Sequence, residues 1–191
     1  GARRSADELD ADLVIAADGV SSATRENGPF GGRVTTGRGL YLWAGTEFAL
    51  PDALFAPVTT EHGVLVTHAY PYSAERSTFL VETDETTWRR AGFAEIDVAP
   101  DASDEVSLRY LERAFAEQLG GRRLIGNRTR WLRFRTVTCE RWSAGRTVLL
   151  GDAAHTAHYS IGSGTKLAME DAIALVDALR TAPDRASAFA E

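Results

Sequence analysis

Cysteine and lysine are almost absent from this chain of 191 residues, which contains one of each, Cys139 and Lys166. A single cysteine cannot form an internal disulfide bond, and proteins without disulfides are typical of a reducing compartment. We therefore expect a cytoplasmic protein in which Cys139 is a small buried apolar side chain. The other basic residues are all arginines, a bias that indicates GC-rich coding rather than chemistry.

Long apolar runs are missing as well. No stretch approaches the roughly 18–20 consecutive apolar residues that a membrane-spanning helix needs. Residues 1–12 are polar and charged, unlike a secretory signal peptide. The net charge of −6 disfavours nucleic acid as the main partner. We therefore expect neither a membrane nor a nucleic acid as a partner.

Metal-binding spacing is also lacking. The four histidines, His62, His68, His155 and His158, fit no recognised metal signature. We therefore expect no metal, and we interpret His62 as a turn residue.

Short α/β-type segments stand at both ends of the chain, and a strand-rich segment lies between them. Apolar runs, turn residues and helix caps predict the following elements. Strands are predicted at 12–17, 40–50, 54–60, 64–72, 77–83, 131–139 and 147–150, and helices from Ser21, after Asp84, from Ser103 or Asp104 to Gly120-Gly121, and over 164–179. The fold class is α/β, or α+β overall: one ligand-binding domain formed by residues 1–30 and 145–191, whose chain leaves to build an antiparallel-sheet domain, 31–144, and returns.

The first motif with chemical content covers residues 12–25 (DLVIAADGVSSATR). A buried strand ends at Asp18-Gly19, and Ser22 and Arg25 stand at the start of the following helix. Glycine allows a ligand to approach the backbone closely, and a helix N-terminus favours anionic groups. When these residues are taken alone, ordinary turn chemistry is the favoured interpretation.

The second motif covers residues 147–171 (TVLLGDAAHTAHYSIGSGTKLAMED). A strand delivers Gly151 and Asp152 to the carboxyl edge of a sheet, where α/β folds bind ligands. The loop Gly162-Ser163-Gly164 then opens a helix, whose unpaired N–H groups can stabilise an anion. The order and length of these features favour a binding role over mere packing.

The two motifs together resemble the paired DG and GD motifs of the FAD-dependent aromatic monooxygenases. Residues 61–70 (EHGVLVTHAY), 77–83 (STFLVET), 137–142 (VTCERW) and 155–171 are similar to the branch acting on aryl-CoA thioesters, such as salicylyl-CoA 5-hydroxylase and 2-aminobenzoyl-CoA monooxygenase. The resemblance implies the C-terminal half of a glutathione-reductase-type FAD-binding domain plus an antiparallel-sheet substrate domain. The family's GxGxxG motif is not completed by Gly37-Arg38-Gly39 or by Gly162-Ser163-Gly164, so we expect a partial version of the family.

The resemblance also implies a reaction. NADH or NADPH would reduce the FAD, and O2 would then add to give a flavin C4a-hydroperoxide that hydroxylates a small aromatic substrate, possibly a CoA thioester. Residues 158–162 are also similar to violacein-type indole hydroxylases. A hydroxylase of an indole or another free aromatic therefore remains an alternative, and so does a catalytically silent fragment.

Site residues follow from the resemblance. Those expected to bind the cofactor are Asp18, Gly19, Ser22, Arg25, Gly151, Asp152, Gly162, Ser163, Gly164 and Thr165. Those expected to contact the substrate are Trp43, His68, Tyr70, His158 and Tyr159, and Phe79 lies on the same group of strands. Tyr41 and Trp43 share a strand face by the period of two, although core packing explains any one of these aromatic residues equally well.

Two residues are candidates for catalysis. His155 follows the GD motif and orients the loop or acts directly. Lys166 lies in the opening turn of a helix, where a cation opposes the helix dipole. We expect its side chain to point toward 151–155; the alternative is a surface ion pair with Glu170.

A cluster of arginines is the last feature of the sequence with possible chemical content. Arginine forks suit the phosphates of CoA, but a solvated face paired with carboxylates is the favoured interpretation. The members of the cluster are Arg122, Arg123, Arg128, Arg130, Arg133 and Arg135.

Overall fold

The computed structural model describes residues 8–189, and it divides the chain into two compact units. The outer unit contains the residues up to Thr36 and those from Arg135 onward, and the inner unit is Gly37–Phe134. The chain thus leaves the outer unit once and returns to it, as expected, with boundaries at 36/37 and 134/135 instead of 30/31 and 144/145.

Nine strands and six α-helices are formed within the described residues. In chain order they are β1 (Val14–Ala16), α1 (Ala23–Asn27), β2 (Arg33–Thr46), β3 (Leu54–Thr60), β4 (Gly63–Pro71), β5 (Ser77–Thr83), α2 (Glu85–Arg90), α3 (Glu105–Ala114), α4 (Ala116–Leu119), β6 (Leu124–Ile125), β7 (Trp131–Thr138), β8 (Ser143–Ala144), β9 (Thr147–Leu149), α5 (Gly164–Thr181) and α6 (Arg185–Ala188). Short 3₁₀ turns occupy Phe93–Glu95, Gly151–Ala153 and Tyr159–Ile161.

The inner unit is built on an antiparallel sheet with the strand order β3-β4-β5-β2-β6, and β7 also pairs with β2. Successive side chains of a strand point to opposite faces, so one face of β4 buries Leu65, Thr67 and Ala69. Helix α3 packs on this face and contributes Leu108 and Leu111 to the same core.

The predicted helix up to Gly120 is interrupted in the structure. Phe115 separates α3 from α4 with φ −106° and ψ 28°, outside helical geometry. Its ring is fully buried and meets Phe79 edge to face at 5.5 Å. The prediction of one continuous helix was therefore wrong at this point. The end of the helix was right, because Gly120 takes the left-handed conformation there with φ 58°.

The outer unit pairs the two strands that precede the DG and GD motifs. Strand β1 runs parallel to β9, with Val14 opposite Thr147, and β8 adds an antiparallel neighbour to β9. This pairing confirms the expectation that the two motif strands lie side by side. It brings the ends of segments more than 130 residues apart to one sheet edge.

Helix α5 has the predicted position. Its larger apolar side chains and two alanines recur at helical spacing and share one face: Ala168, Ala172, Leu175, Val176 and Leu179. No residue of α5 is buried within the described part of the chain, and Val176 is 52% exposed. Among the described residues, no helix combines the length and the apolar character required to cross a membrane.

Candidate functional site

The GD turn begins where β9 ends. Gly151 has φ +57°, a conformation that favours glycine, and a Cβ atom at this position would lie 3.1 Å from Cβ of Ala168. The turn Gly151–Ala153 therefore packs closely against helix α5, and both the positive φ and the close contact favour glycine at this position. The resulting site contains a tight turn held against the first half of a long helix.

One carboxylate joins this turn to the helix. Oδ2 of Asp171 accepts a hydrogen bond from the backbone N–H of Gly151 at 3.0 Å and lies 2.9 Å from Nε2 of His155. The ring of Trp142 stacks on the His155 ring, with the centroids 4.5 Å apart and the planes at 16°. His155 is thus held from two sides, a geometry that supports the interpretation that it orients the loop.

Sequence reasoning did not select Asp171 or Trp142 as site residues. A signal for Asp171 was present: Ala168 follows Gly164 by four residues and Asp171 follows Ala168 by three, so the three residues share one helix face. An acidic side chain on a helix face with small residues lies close to whatever packs there, so it needs a hydrogen-bond donor from the neighbouring segment. No comparable signal identifies Trp142, whose contact with His155 depends on tertiary structure.

The DG loop uses its polar side chains to start helix α1. Ser22 is fully buried, and its Oγ accepts a hydrogen bond from the N–H of Arg25 at 3.0 Å. Asp18 accepts hydrogen bonds from the backbone and the hydroxyl of Thr24. Burial by itself raises the pKa of Asp18, but hydrogen bonds from Ser22 and Thr24 together hold it below the ordinary value. Gly19 has φ +79°, with open space where a Cβ would lie.

Arg25 connects the DG loop to the GD turn through hydrogen bonds. Its guanidinium is buried and donates to the carbonyl oxygens of Val20 at 2.8 Å and Ala153 at 3.0 Å. Ser22 and Arg25 are predicted to bind the cofactor, and both side chains make hydrogen bonds inside the outer unit. These bonds shape the two loops, and direct contact with a cofactor stays a prediction for both residues.

Near Arg25 lies the single cysteine. Burial raises the pKa of the Cys139 thiol, and the positive charge of Arg25 opposes this rise. Cys139 is partly buried and packs against the apolar cluster around Phe30.

The start of helix α5 presents unused hydrogen-bonding capacity. Oγ of Ser163 is buried and has no hydrogen-bond partner within the described residues. Gly162 has φ +62°, and a Cβ at Gly162 or Gly164 would meet nothing within 4 Å. A buried polar atom without a partner, beside open backbone N–H groups at a helix start, fits the anionic N1–C2=O edge of a reduced flavin.

The remaining predicted residues around the turn are mostly exposed. Asp152 and Thr165 lie on the surface, and the ring nitrogen Nδ1 of His158 lies 2.8 Å from Oγ of Ser160. Tyr159 is half-buried and its ring contacts that of His158 at 4.2 Å. These side chains are available to a ligand of the outer unit.

Lys166 does not behave as expected. Its side chain is 67% exposed, and Nζ pairs with a carboxylate oxygen of Glu170 at 2.5 Å. The expectation that it points toward the turn was wrong, and the surface ion pair is what the structure shows. An ammonium in the opening turn of a helix gains more from solvent and a carboxylate one turn away than from facing the helix N-terminus.

The exposed face of the inner sheet carries the predicted substrate residues together. The register places Trp43 and His68 on either side of Leu80, with Phe55 opposite His68 at the edge strand. The ring of His68 lies 5.9 Å from that of Phe55 and 5.6 Å from that of Tyr70. We call Trp43, Phe55, His68 and Tyr70 the aromatic face.

Two findings refine this face. Trp43 is oriented by a hydrogen bond from Nε1 to Oγ1 of Thr78 at 2.5 Å. Phe79, predicted on the same group of strands, points the other way and is fully buried in the core. It stands next to Thr78 and Leu80 in sequence, so the strand alternation sends it to the opposite face. Phe55 was not selected from the sequence. It lies at one of the exposed positions of β3, which alternate with half-buried ones.

The arginine-rich segment is mostly engaged within the chain. Arg123 pairs with Glu112 at 2.7 Å, and Arg133 pairs with Glu85 at 2.9 Å. Arg130 donates to backbone carbonyls, and Arg122 lies over the ring of Phe48 at 4.2 Å. The structure therefore favours the interpretation of a solvated, paired face. Within residues 8–189, no group of three or more potential metal ligands comes together.

A parallel strand pair with glycine-containing loops and an open helix start at its edge is typical of an α/β ligand-binding domain. The family described as FAD binding domain matches residues 2–187, and the chain belongs to this family.

Relatives cover nearly the whole chain. It is 43% identical over 190 residues to salicyloyl-CoA 5-hydroxylase of a Streptomyces species, covering 95% of this chain and 37% of the relative. It is 48% identical over 185 residues to 3-hydroxy-4-methyl-anthranilyl-[aryl-carrier protein] 5-monooxygenase of Streptosporangium sibiricum, covering 94% of this chain and 46% of the relative. The chain thus spans less than half the length of these relatives.

A solved structure shares the fold. The tetrameric form of 2-methyl-3-hydroxypyridine-5-carboxylic acid oxygenase superposes with a TM-score of 0.69 at 20% identity, covering 95% of this chain and 48% of that one. This similarity supports the expected fold: part of an FAD-binding domain together with an antiparallel sheet.

Proposed function

We propose that the protein to which this chain belongs is an FAD-dependent monooxygenase that hydroxylates an aromatic ring carried as a thioester. The observation that carries the proposal is the outer unit's arrangement: the GD turn is fixed against a helix whose start presents the unpartnered Ser163 hydroxyl. Membership of the FAD binding domain family supports the cofactor. The names of two relatives, which describe aromatic acids attached to CoA or to a carrier protein, support the thioester.

Residues of the outer unit have distinct roles in this proposal. The open N–H groups and Ser163 at the start of α5 would stabilise negative charge on the flavin. Asp152, exposed on the turn, would accept hydrogen bonds from ribityl hydroxyls. When bound, FAD supplies the activation of O2 with electrons from NADH or NADPH.

The inner unit would contact the substrate. On the aromatic face the ring of His68 contacts those of Phe55 and Tyr70, and Trp43 lies on the other side of Leu80. Such a surface is suited to a flat aromatic group. Trp43 is held in one orientation by Thr78, which reduces the conformational entropy lost on binding. His158 and Tyr159 of the outer unit are further candidates for substrate contact.

The substrate class is tested by NAD(P)H oxidation in the full-length protein. Salicylyl-CoA or 2-aminobenzoyl-CoA should accelerate oxidation more than the corresponding free acids, with hydroxylated product formed. Equal stimulation by free acids or by tryptophan-like compounds would overturn the thioester assignment and favour a hydroxylase of free aromatics. A purified full-length protein that is colourless and gains no flavin absorbance with added FAD would overturn the flavoenzyme assignment itself.

A further inference from the structure

We propose that Asp171 is the positioning residue that fixes the GD turn to helix α5 in its ligand-ready geometry. The proposal deepens the proposed function where flavin retention is concerned, but its first test needs no flavin. It rests on two contacts of the Asp171 side chain, with the Gly151 backbone and with the His155 ring, and on the stacking of the His155 ring on Trp142.

A single carboxylate oxygen of Asp171 makes both contacts. The Asp171 side chain is only 12% exposed, and its Oδ2 lies 3.0 Å from the Gly151 nitrogen and 2.9 Å from Nε2 of His155. For both contacts to be hydrogen bonds, His155 must donate from Nε2. Hydrogen bonds to an ionised carboxylate are stronger than neutral ones, so one residue holds both ends of the turn.

His155 is held by its backbone as well as by its ring. Its backbone N–H donates to the carbonyl oxygen of Gly151 at 3.0 Å, and its ring lies flat against that of Trp142. These contacts restrict both the backbone and the ring of His155. The bond from Asp171 to the ring therefore also fixes the end of the turn, where His155 lies. An imidazole used in this way orients the turn without contacting a substrate.

Helix α5 presents three residues of the site on one face. Gly164, Ala168 and Asp171 follow one another at helical spacing, and Cβ of Ala168 lies 3.1 Å from where a Cβ at Gly151 would be. The same face of α5 thus carries its ligand-facing start, the contact with the turn and the carboxylate. Asp171 would therefore hold the turn and the helix start at a constant separation.

The experiment is hydrogen–deuterium exchange of the full-length protein without added flavin, read on the peptide covering residues 147–158. Asp171→Ala should raise exchange at Gly151 and the following amides by about tenfold or more, the loss expected for a hydrogen bond to a charged group. Asp171→Asn keeps an acceptor but loses the charge, so it should fall between the wild type and the alanine variant.

Two comparisons separate positioning from general destabilisation. Asp177→Asn makes the same charge change at an exposed site on the same helix and should leave exchange unchanged. The peptide covering β5, in the core of the inner unit, should also keep its wild-type exchange in every variant. If Asp171→Ala does not fold, the asparagine variant and the near-ultraviolet circular dichroism of the Trp142–His155 stack supply the result.

Unchanged exchange of the turn in both Asp171 variants would overturn the proposal, as would an equal rise in the β5 peptide. A separate measurement of FAD release should show it accelerated by about tenfold in Asp171→Ala, in parallel with the exchange. If the exchange rises as expected while the wild-type protein binds no FAD, Asp171 keeps its role and the proposed function fails.

Discussion

The polar side chains near the two loops fall into two groups according to where their partners lie. Ser22 and Arg25 are buried, and their side chains form hydrogen bonds with other residues of the outer unit. Asp152, in the GD turn, and Thr165, in the first turn of α5, are exposed. The residue type alone does not separate these groups, because a Ser or an Arg beside a helix start serves equally as a cap or as a ligand contact. Burial makes the distinction.

Lys166 illustrates the second group. Lys166→Arg should leave hydroxylation turnover and peroxide release unchanged, because an arginine at this exposed position can pair with Glu170 in the same way. The ion pair contributes only about 0.2–0.5 kcal/mol, so the melting temperature should stay close to that of the wild type. Steady-state oxygen consumption and thermal unfolding provide the measurements. A drop in coupled turnover with normal stability would restore the catalytic assignment for this lysine.

At the scale of elements, the inner sheet has two unlike faces. The face toward α3 is closed by apolar side chains, and the aromatic face leaves Trp43, Phe55 and Tyr70 exposed while Leu80 between its rings is buried. Along β5 and β3 this difference separates two phenylalanines: Phe79 is fully buried, and Phe55 is 71% exposed. The same residue type therefore has different consequences on the two faces.

Phe79→Ala should lower the free energy of unfolding by about 3–5 kcal/mol, because it removes a ring that contacts Phe115 and leaves a cavity in the core. Phe55→Ala is the matched control and should change stability by no more than about 0.5 kcal/mol. Urea denaturation followed by circular dichroism compares the two. Similar losses for both variants would contradict the two-faced description of the sheet.

For the whole molecule, the two units separate the proposed tasks. The loops attributed to flavin binding lie in the outer unit, and the aromatic face lies in the inner unit. A substitution in one unit should then affect one ligand and spare the other.

In the full-length protein, Trp43→Ala should raise the KM for the aromatic substrate about tenfold, since stacking and apolar contact with a large ring are lost. Its FAD content after dialysis should equal that of the wild type. Asp152→Ala should do the reverse and weaken FAD retention by about 1–3 kcal/mol, the value of a hydrogen bond to a charged group. Loss of FAD from the Trp43 variant, or unchanged FAD retention in the Asp152 variant, would contradict this division.

Sequence reasoning performed well where a local pattern and a local cap agree. Strands β3 and β5 have the bounds predicted for them, and Asp84 and Asp104 cap helices as expected. The two motifs and their order led to the correct family. These features depend on alternation, capping and turn chemistry, which neighbouring residues carry among themselves.

The sequence by itself determined the strand-loop-helix units, the two glycine turns and the resemblance to FAD-dependent monooxygenases. Only the tertiary structure decided that Phe115 breaks a helix, that Lys166 faces solvent, and that Asp171 and Trp142 meet at His155. The physical reason is that burial and long-range contacts depend on how distant segments pack. Arg25 and Ala153 are 128 residues apart, and no local pattern shows that a guanidinium from one loop will support the other.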